Sequence, residues 1–442
     1  MTKPNCDCRK ISIIEGEFGE ILSDDNNQND DRVESTGSSS YDECECSTNE
    51  KFFEPIKIKS YTMTNDNGME VVLISWGATI VSIKCPDKYG EVADIVLGFD
   101  DLQTYLDPTL NNYIGCVLGR SANHIMNGTF KIQNLEYFLT KNDGNKHHLH
   151  GGINGFGRRV WEPYIEDGSH VIMSLLSDDG EEGYPGSVFT TIKFRLTNNN
   201  SLEINMRAST SKPTVVNLSH GSLFNLAGHG TGKTELMEHE ISLNCDRWTY
   251  TDCENPIPTG KIRDVGGTIM DLRMSRKMKD VIEKVPLNKG YNHNFCVVRS
   301  VQPQVSLISR ISHAKSGRFL EVYSDQPGVQ FYTGGQLPPY SLNEGADSDD
   351  CNKSCHDSSS GGDCECSCDC ETEIMGSQSS TVEYLPGKCG TKYTQFGAFS
   401  VQPQNYPNAI NVKNFPSSVL RPGQFYYHDL IYKFGVHLNN PR

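Results

Sequence analysis

The sequence predicts an all-β chain folded as a large antiparallel sandwich, and three observations predict it. Runs rich in β-branched and aromatic residues recur along most of its 442 residues. Gly/Asn/Pro turns separate them, and helical patterns are few and short. Taken in order, MEVVLISWGATIVSIKC (69–85) mixes alternation with β-branched runs. VFTTIKFRL (188–196), the turn TNNN and SLEINMRAS (201–209) read as a hairpin. Further strands are expected at 239–245, 305–312, 318–324, 328–334 and 424–436, and one short helix at VIEKV (281–285). No internal repeat is obvious. These elements predict one domain from residue 52 to 440, interrupted at 343–390, with residues 1–51 as a disordered N-terminal extension.

Charge marks the same divisions. Residues 23–50 carry nine acids against Arg32, and residues 343–372 carry nine against Lys353. Each stretch is therefore −8, and together they account for the whole formal net charge of −16. The near-neutral remainder offers no basic patch for nucleic acid, and no apolar run long enough to span a membrane. The start, MTKPNCDCRKISIIEGEFGE, lacks the apolar stretch of a signal peptide. A cytosolic protein is expected, in which the sequon at Asn127 stays unused.

Ten of the sixteen cysteines lie in polar Ser/Gly/Asp-rich sequence, whereas Cys85, Cys116, Cys245, Cys253 and Cys296 accompany apolar runs and read as buried thiols. CECSCDC (364–370) would suit a soft metal ion. It lacks the paired C-x2-C spacing of a structural zinc site, so an acidic disordered loop is the plainer reading, with thiolate metal binding as the alternative.

Eleven blocks, in order, resemble the aldose 1-epimerase (galactose mutarotase) family. They include WGATIVSIKCPDKYGEVADIVLGFD (76–100), IGCVLGRSANHIMNGTF (114–130), HHLHGGINGFGRRVW (147–161), NLSHGSLFNLAG (217–228), GYNHNF (290–295), SGRFLEVYSDQPGVQFYTG (316–334) and PQNYPNAINVKNFPSSVLRPGQ (403–424). The resemblance implies a β-supersandwich with an open cleft for a free hexose, and no cofactor. The implied reaction opens a hemiacetal, rotates C1–C2 and recloses it, which needs a group to take the O1 proton and another to protonate the ring oxygen. In the family a histidine in N-x-x-N-H-S-Y-F-N-L is the acid. A glutamate two residues before Q-N-x-P is the base.

Carried over residue by residue, His150 fills the LHGG histidine position and Gln330 the G-V-Q-F-Y position, both implied to contact sugar. Arg120, Asn123, Asn225 and Asp271 match their places. The reacting positions do not match: Gly221 stands where the acid histidine belongs, and Gln402 where the base glutamate belongs. Asn292 replaces a sugar-binding aspartate, and His124 the final arginine of G-R-x-A-N-R. A neutral amide can hydrogen-bond a hydroxyl but cannot take its proton at neutral pH.

His220 is the remaining candidate acid, one residue out of register. On a regular strand it faces away from the sugar; a β-bulge at Gly221 would re-aim it. His147 and His148 read as surface loop, His293 as a hydrogen-bonded strand histidine, SDDGEEGYPG (177–186) as a solvated loop, and Trp76 and Trp161 as core. The expectation is a family member that keeps part of a hexose-binding cleft and has lost most or all mutarotation. The alternative is a working aldose 1-epimerase, interconverting α and β anomers with an altered acid/base pair. A third class of function would centre on the acidic Cys-rich segments.

Overall fold

The computed structural model describes residues 11–21, 55–252, 255–286, 289–299, 304–338, 340–341 and 381–437. The acidic stretch 23–50, the CECSCDC motif and Cys253 lie outside the described residues.

Among the described residues, three larger antiparallel sheets carry the fold. The expected hairpin is present as Val188–Leu196 and Ser201–Thr210. Their register runs from Val188 opposite Thr210 to Leu196 opposite Leu202. Alternate positions Val188, Ile192, Phe194 and Ile204, Met206 turn inward and are fully buried, as the period-2 pattern of a half-buried strand requires. The hairpin lies within a nine-stranded sheet, where Ser201–Thr210 also pairs with the C-terminal strand Tyr426–Val436. That strand in turn pairs with Arg318–Ser324, which pairs with Ser306–His313.

A five-stranded sheet of Asn255–Asp264, Cys245–Asp252, Asn292–Val297, Gly328–Tyr332 and Ser400–Gln404 provides the wall on which several of the candidate site residues sit. The remaining large sheet is built from N-terminal strands. One apolar cluster joins all three, with Val71 and Ile83, Phe194 and Tyr432, and Phe295 and Val401 as members. Trp161 is part of it and Trp76 belongs to a smaller cluster. The stretch 69–85 forms two strands, Glu70–Ile74 and Thr79–Pro86, because Gly77 and Ala78 adopt positive φ and break the run. The expected helix is a single turn, Met278–Val281, continued as a 3-10 turn over Ile282–Lys284.

Two boundaries differ from the sequence expectation. The sheet begins at Ser12: strand Ser12–Ile21 pairs with Ile56–Thr64 across a bulge at Phe18. This strand is an edge with mostly exposed polar positions, and Lys57–Glu17 and Lys59–Glu15 ion pairs lie across the pairing. Its low hydrophobicity therefore does not make it an extension. Residues 381–390 also belong to the fold. Thr381–Val382 pairs with Tyr340–Ser341 in one short ladder. Lys388 is then buried, with its ammonium donating to Asp94 Oδ2 and the Val81 carbonyl, both at 2.6 Å.

Candidate functional site

A cleft of about 160 Å³ is lined by Gly221, Gln402, Gln330, Asn292, His124 and His150, together with Asn123, Asp143, Tyr113 and Tyr332. Residues from five distant stretches of chain thus converge. Cross-strand register explains one wall: Gln330 lies opposite both Asn294 and Gln402, and Tyr332 opposite both Asn292 and Ser400. Alternation turns Val401 and Pro403 inward and leaves Gln402 partly exposed to the cleft.

The amides are partly prepared. Gln330 Nε2 donates to Asn292 Oδ1 at 2.8 Å, and among the described residues its Oε1 has no protein partner. Gln402 Nε2 donates to Ser400 Oγ at 3.1 Å. His150, at φ 51°, accepts the Asn123 backbone N–H on Nδ1 at 3.1 Å. Burial pushes its pKa down to about 3, so the ring is neutral and carries its proton on Nε2. It leans against the Tyr113 ring at 4.9 Å between centroids.

His220 is not in this cleft. Ser219 pairs with Leu118 and His220 with Val117, and the Gly221 N–H donates to the Cys116 carbonyl at 2.8 Å. The ladder steps evenly through all three residues without the bulge that would re-aim the imidazole. His220 is fully buried, with Nδ1 3.0 Å from Ser222 Oγ and its ring edge-on to Phe194. Burial pushes its pKa down to about 3. At Gly221, by contrast, a Cβ would lie 2.5 Å from the Tyr113 carbonyl oxygen.

Other matched positions serve the scaffold. Arg120 is buried, and its guanidinium donates to Ser177 Oγ and to the carbonyls of Ser177, Asp178, Pro185 and Gly186. It thereby anchors the SDDGEEGYPG loop, whose Glu181 also pairs with Arg159. Asn225 donates to the carbonyls of Gly232 and Gly397. Asp271 forms a two-pronged pair with Arg273. His147 and His148 are buried, contrary to the surface-loop expectation. His147 Nδ1 accepts the Asn127 N–H, and His148 bridges the Thr140 carbonyl and the Tyr184 hydroxyl. These backbone and phenol partners supply the polar contacts that a loop histidine would otherwise take from water. His293 accepts the Asn292 N–H on Nδ1 at 3.1 Å.

Asp143 was missed from sequence. It lines the cleft, and its Oδ2 meets His124 Nε2 at 3.0 Å. The His124 contact holds its carboxyl below the ordinary carboxylate range. Its setting, Asn-Asp-Gly, reads locally as a turn, and only its partner's presence in the cleft distinguishes it.

Chemically, the cleft offers neutral amides, phenols and a neutral imidazole able to hold hydroxyl groups, and one carboxylate–imidazole pair. Gly221 and Gln402, which line the cleft, carry no ionisable group. No helix of the described residues is long and apolar enough to cross a membrane.

Comparison with known proteins agrees with this architecture. The family model described as aldose 1-epimerase matches residues 59–433. The galactose mutarotase of Sus scrofa is 36% identical over 379 residues, covering 86% of this chain and 94% of that protein. The galactose mutarotase of Homo sapiens is 36% identical over 368 residues, covering 83% and 92%. The crystal structure of a GalM/aldose epimerase homologue from C. elegans superposes with a TM-score of 0.68 at 25% identity, covering 84% of this chain and 97% of that one. A match over this much of the sequence, carried on the same supersandwich, places the chain in the aldose 1-epimerase family.

Proposed function

We propose that this chain is a mutarotase-like pseudoenzyme that keeps a hexose-binding cleft and has lost most or all mutarotation. The observation that supports the reading is that Gly221 and Gln402, which the sequence resemblance aligns with the family's acid and base, both line the cleft. Glycine has no proton to give, and an amide cannot take one from O1. A general acid or base is typically worth about 10²- to 10⁴-fold, and a pair that acts as a unit loses most of its effect when either member goes. The core position of His220 supports the same reading. What remains suits binding: the open Oε1 of Gln330, the amides of Asn292 and Gln402, and a neutral His150 bearing its proton on Nε2. Unpaired buried thiols at Cys85, Cys116, Cys245 and Cys296 fit a reducing, cytosolic setting.

Polarimetry of freshly dissolved α-D-galactose tests the loss. The expected result is decay at the spontaneous rate; anomerisation well above it would overturn the reading. Calorimetric titration with galactose and glucose tests the cleft, and the expected result is heat of binding that saturates. Active aldose 1-epimerase, interconverting the anomers through an altered acid/base pair, is the second reading. It is favoured by the 36% identity to proteins named galactose mutarotase, and the same polarimetry decides between the two.

A further inference from the structure

Asp143 supplies the cleft's carboxylate, and the reading above gives it no part. Its own turn fixes its backbone, which exchanges hydrogen bonds with His147 in both directions. Its side chain is fixed by His124. Asn123 Oδ1 accepts the His124 backbone N–H at 2.9 Å, so the acceptor end of that amide is the end that also faces His124 Nδ1 at 2.9 Å. Nε2 faces the carboxylate of Asp143. Both ring nitrogens therefore face protein acceptors, Asn123 Oδ1 and Asp143 Oδ2. With both nitrogens engaged by the protein, the ring has no N–H to spare for a ligand. What the pair offers the cleft is the second carboxylate oxygen, Oδ1, which no protein donor engages among the described residues.

Around it, Gln330, Asn292, Gln402 and Gln336 are neutral amides, and His150 is held neutral by burial. His147, which also faces Asp143, spends Nδ1 on accepting the Asn127 N–H. No lining residue presents a free cationic N–H. We propose that Asp143, steered by His124, is a ligand-binding group that sets the charge preference of the cleft. It ranks a hexose bearing an ammonium group above a neutral hexose, and both above a hexuronate. An ammonium gives the carboxylate a charge-assisted hydrogen bond, a hydroxyl gives a neutral-donor one, and a second carboxylate brings like charge without a compensating donor. The inference rests on the cleft being the sugar site proposed above.

The test is calorimetric titration of the full chain with 2-amino-2-deoxygalactose, galactose and galacturonate at about pH 6.5, where an amine remains protonated. The amino sugar should bind about tenfold more tightly than galactose, with galacturonate the weakest. Asp143→Asn, which keeps the side-chain shape, should compress the three affinities to within about twofold of each other. His124→Gln should weaken binding while keeping the order. Equal affinities in the wild-type chain would overturn the proposal and leave the cleft a sugar site. An unchanged ranking in Asp143→Asn, or a uniform loss of all three that marks a purely structural role, would also overturn it. Failure of every sugar to bind would remove the sugar-site reading and this inference together.

Discussion

The carbonyl oxygen of Tyr113 lies 2.5 Å from the point where a side chain on Gly221 would begin. Gly221, which the sequence resemblance aligns with the family's acid histidine, is therefore crowded by backbone, and it cannot receive a side chain unless the Tyr113 segment moves. Tyr113 itself sits at φ 61°. Gly221→Ala should cost about 1–3 kcal/mol through overpacking, read as a lower denaturant midpoint at unchanged slope. Full retention of stability would show that the Tyr113 segment yields freely.

Gln402 lies opposite Gln330 with its amide donating to Ser400. Gln402→Glu restores a proton acceptor but no donor. Because paired groups act as a unit, the anomerisation rate of this variant should stay within about tenfold of the wild-type chain. Polarimetry across neutral pH measures it, and a rise of about 10²-fold or more would mean that another group already serves as the acid.

His220 lies in the core, so His220→Ala should leave sugar affinity and anomerisation unchanged while lowering stability by about 1–3 kcal/mol. Parallel calorimetric titration and denaturation separate the two effects. A fall in anomerisation without a fall in stability would restore His220 as an acid.

Burial holds His220, His239 and His150 each near a pKa of about 3, below the ordinary 6.5. The unfolded chain binds protons at these rings that the folded chain refuses, so stability is complete above about pH 6.5. It should fall as pH drops from there toward 3, and melting temperature followed over that interval should decline steadily. Asp143 contributes in the same direction at the acid end. Its depressed pKa keeps its pair with His124 until pH falls below the ordinary carboxylate range.

Arg120 donates to four carbonyls and a hydroxyl around the 177–186 loop and does not line the cleft. Arg120→Ala strands those acceptors and should cost about 2–4 kcal/mol, with galactose affinity changed by less than about threefold. A loss of affinity at unaltered stability would instead make Arg120 a sugar contact.

Sequence alone determined the parts of this protein governed by local periodicity. Alternation of side chains across a strand identified the 188–210 hairpin and the C-terminal strand, and the ordered motifs carried the resemblance to the aldose 1-epimerase family. The same alternation put His220 and Gly221 on opposite faces. The polar edge strand Ser12–Ile21 was not legible, because an edge that faces water on most positions carries little apolar signal. The burial of His147 and His148 was equally hidden, since it depends on Tyr184 and on backbone groups that reach them through the fold. Tertiary structure alone decided that the Tyr113 carbonyl closes on Gly221, that Arg120 serves a loop, and that Asp143 and His124 meet inside the cleft. Each is a contact between segments that no local pattern couples, made when the ladders between distant strands bring those segments to one wall.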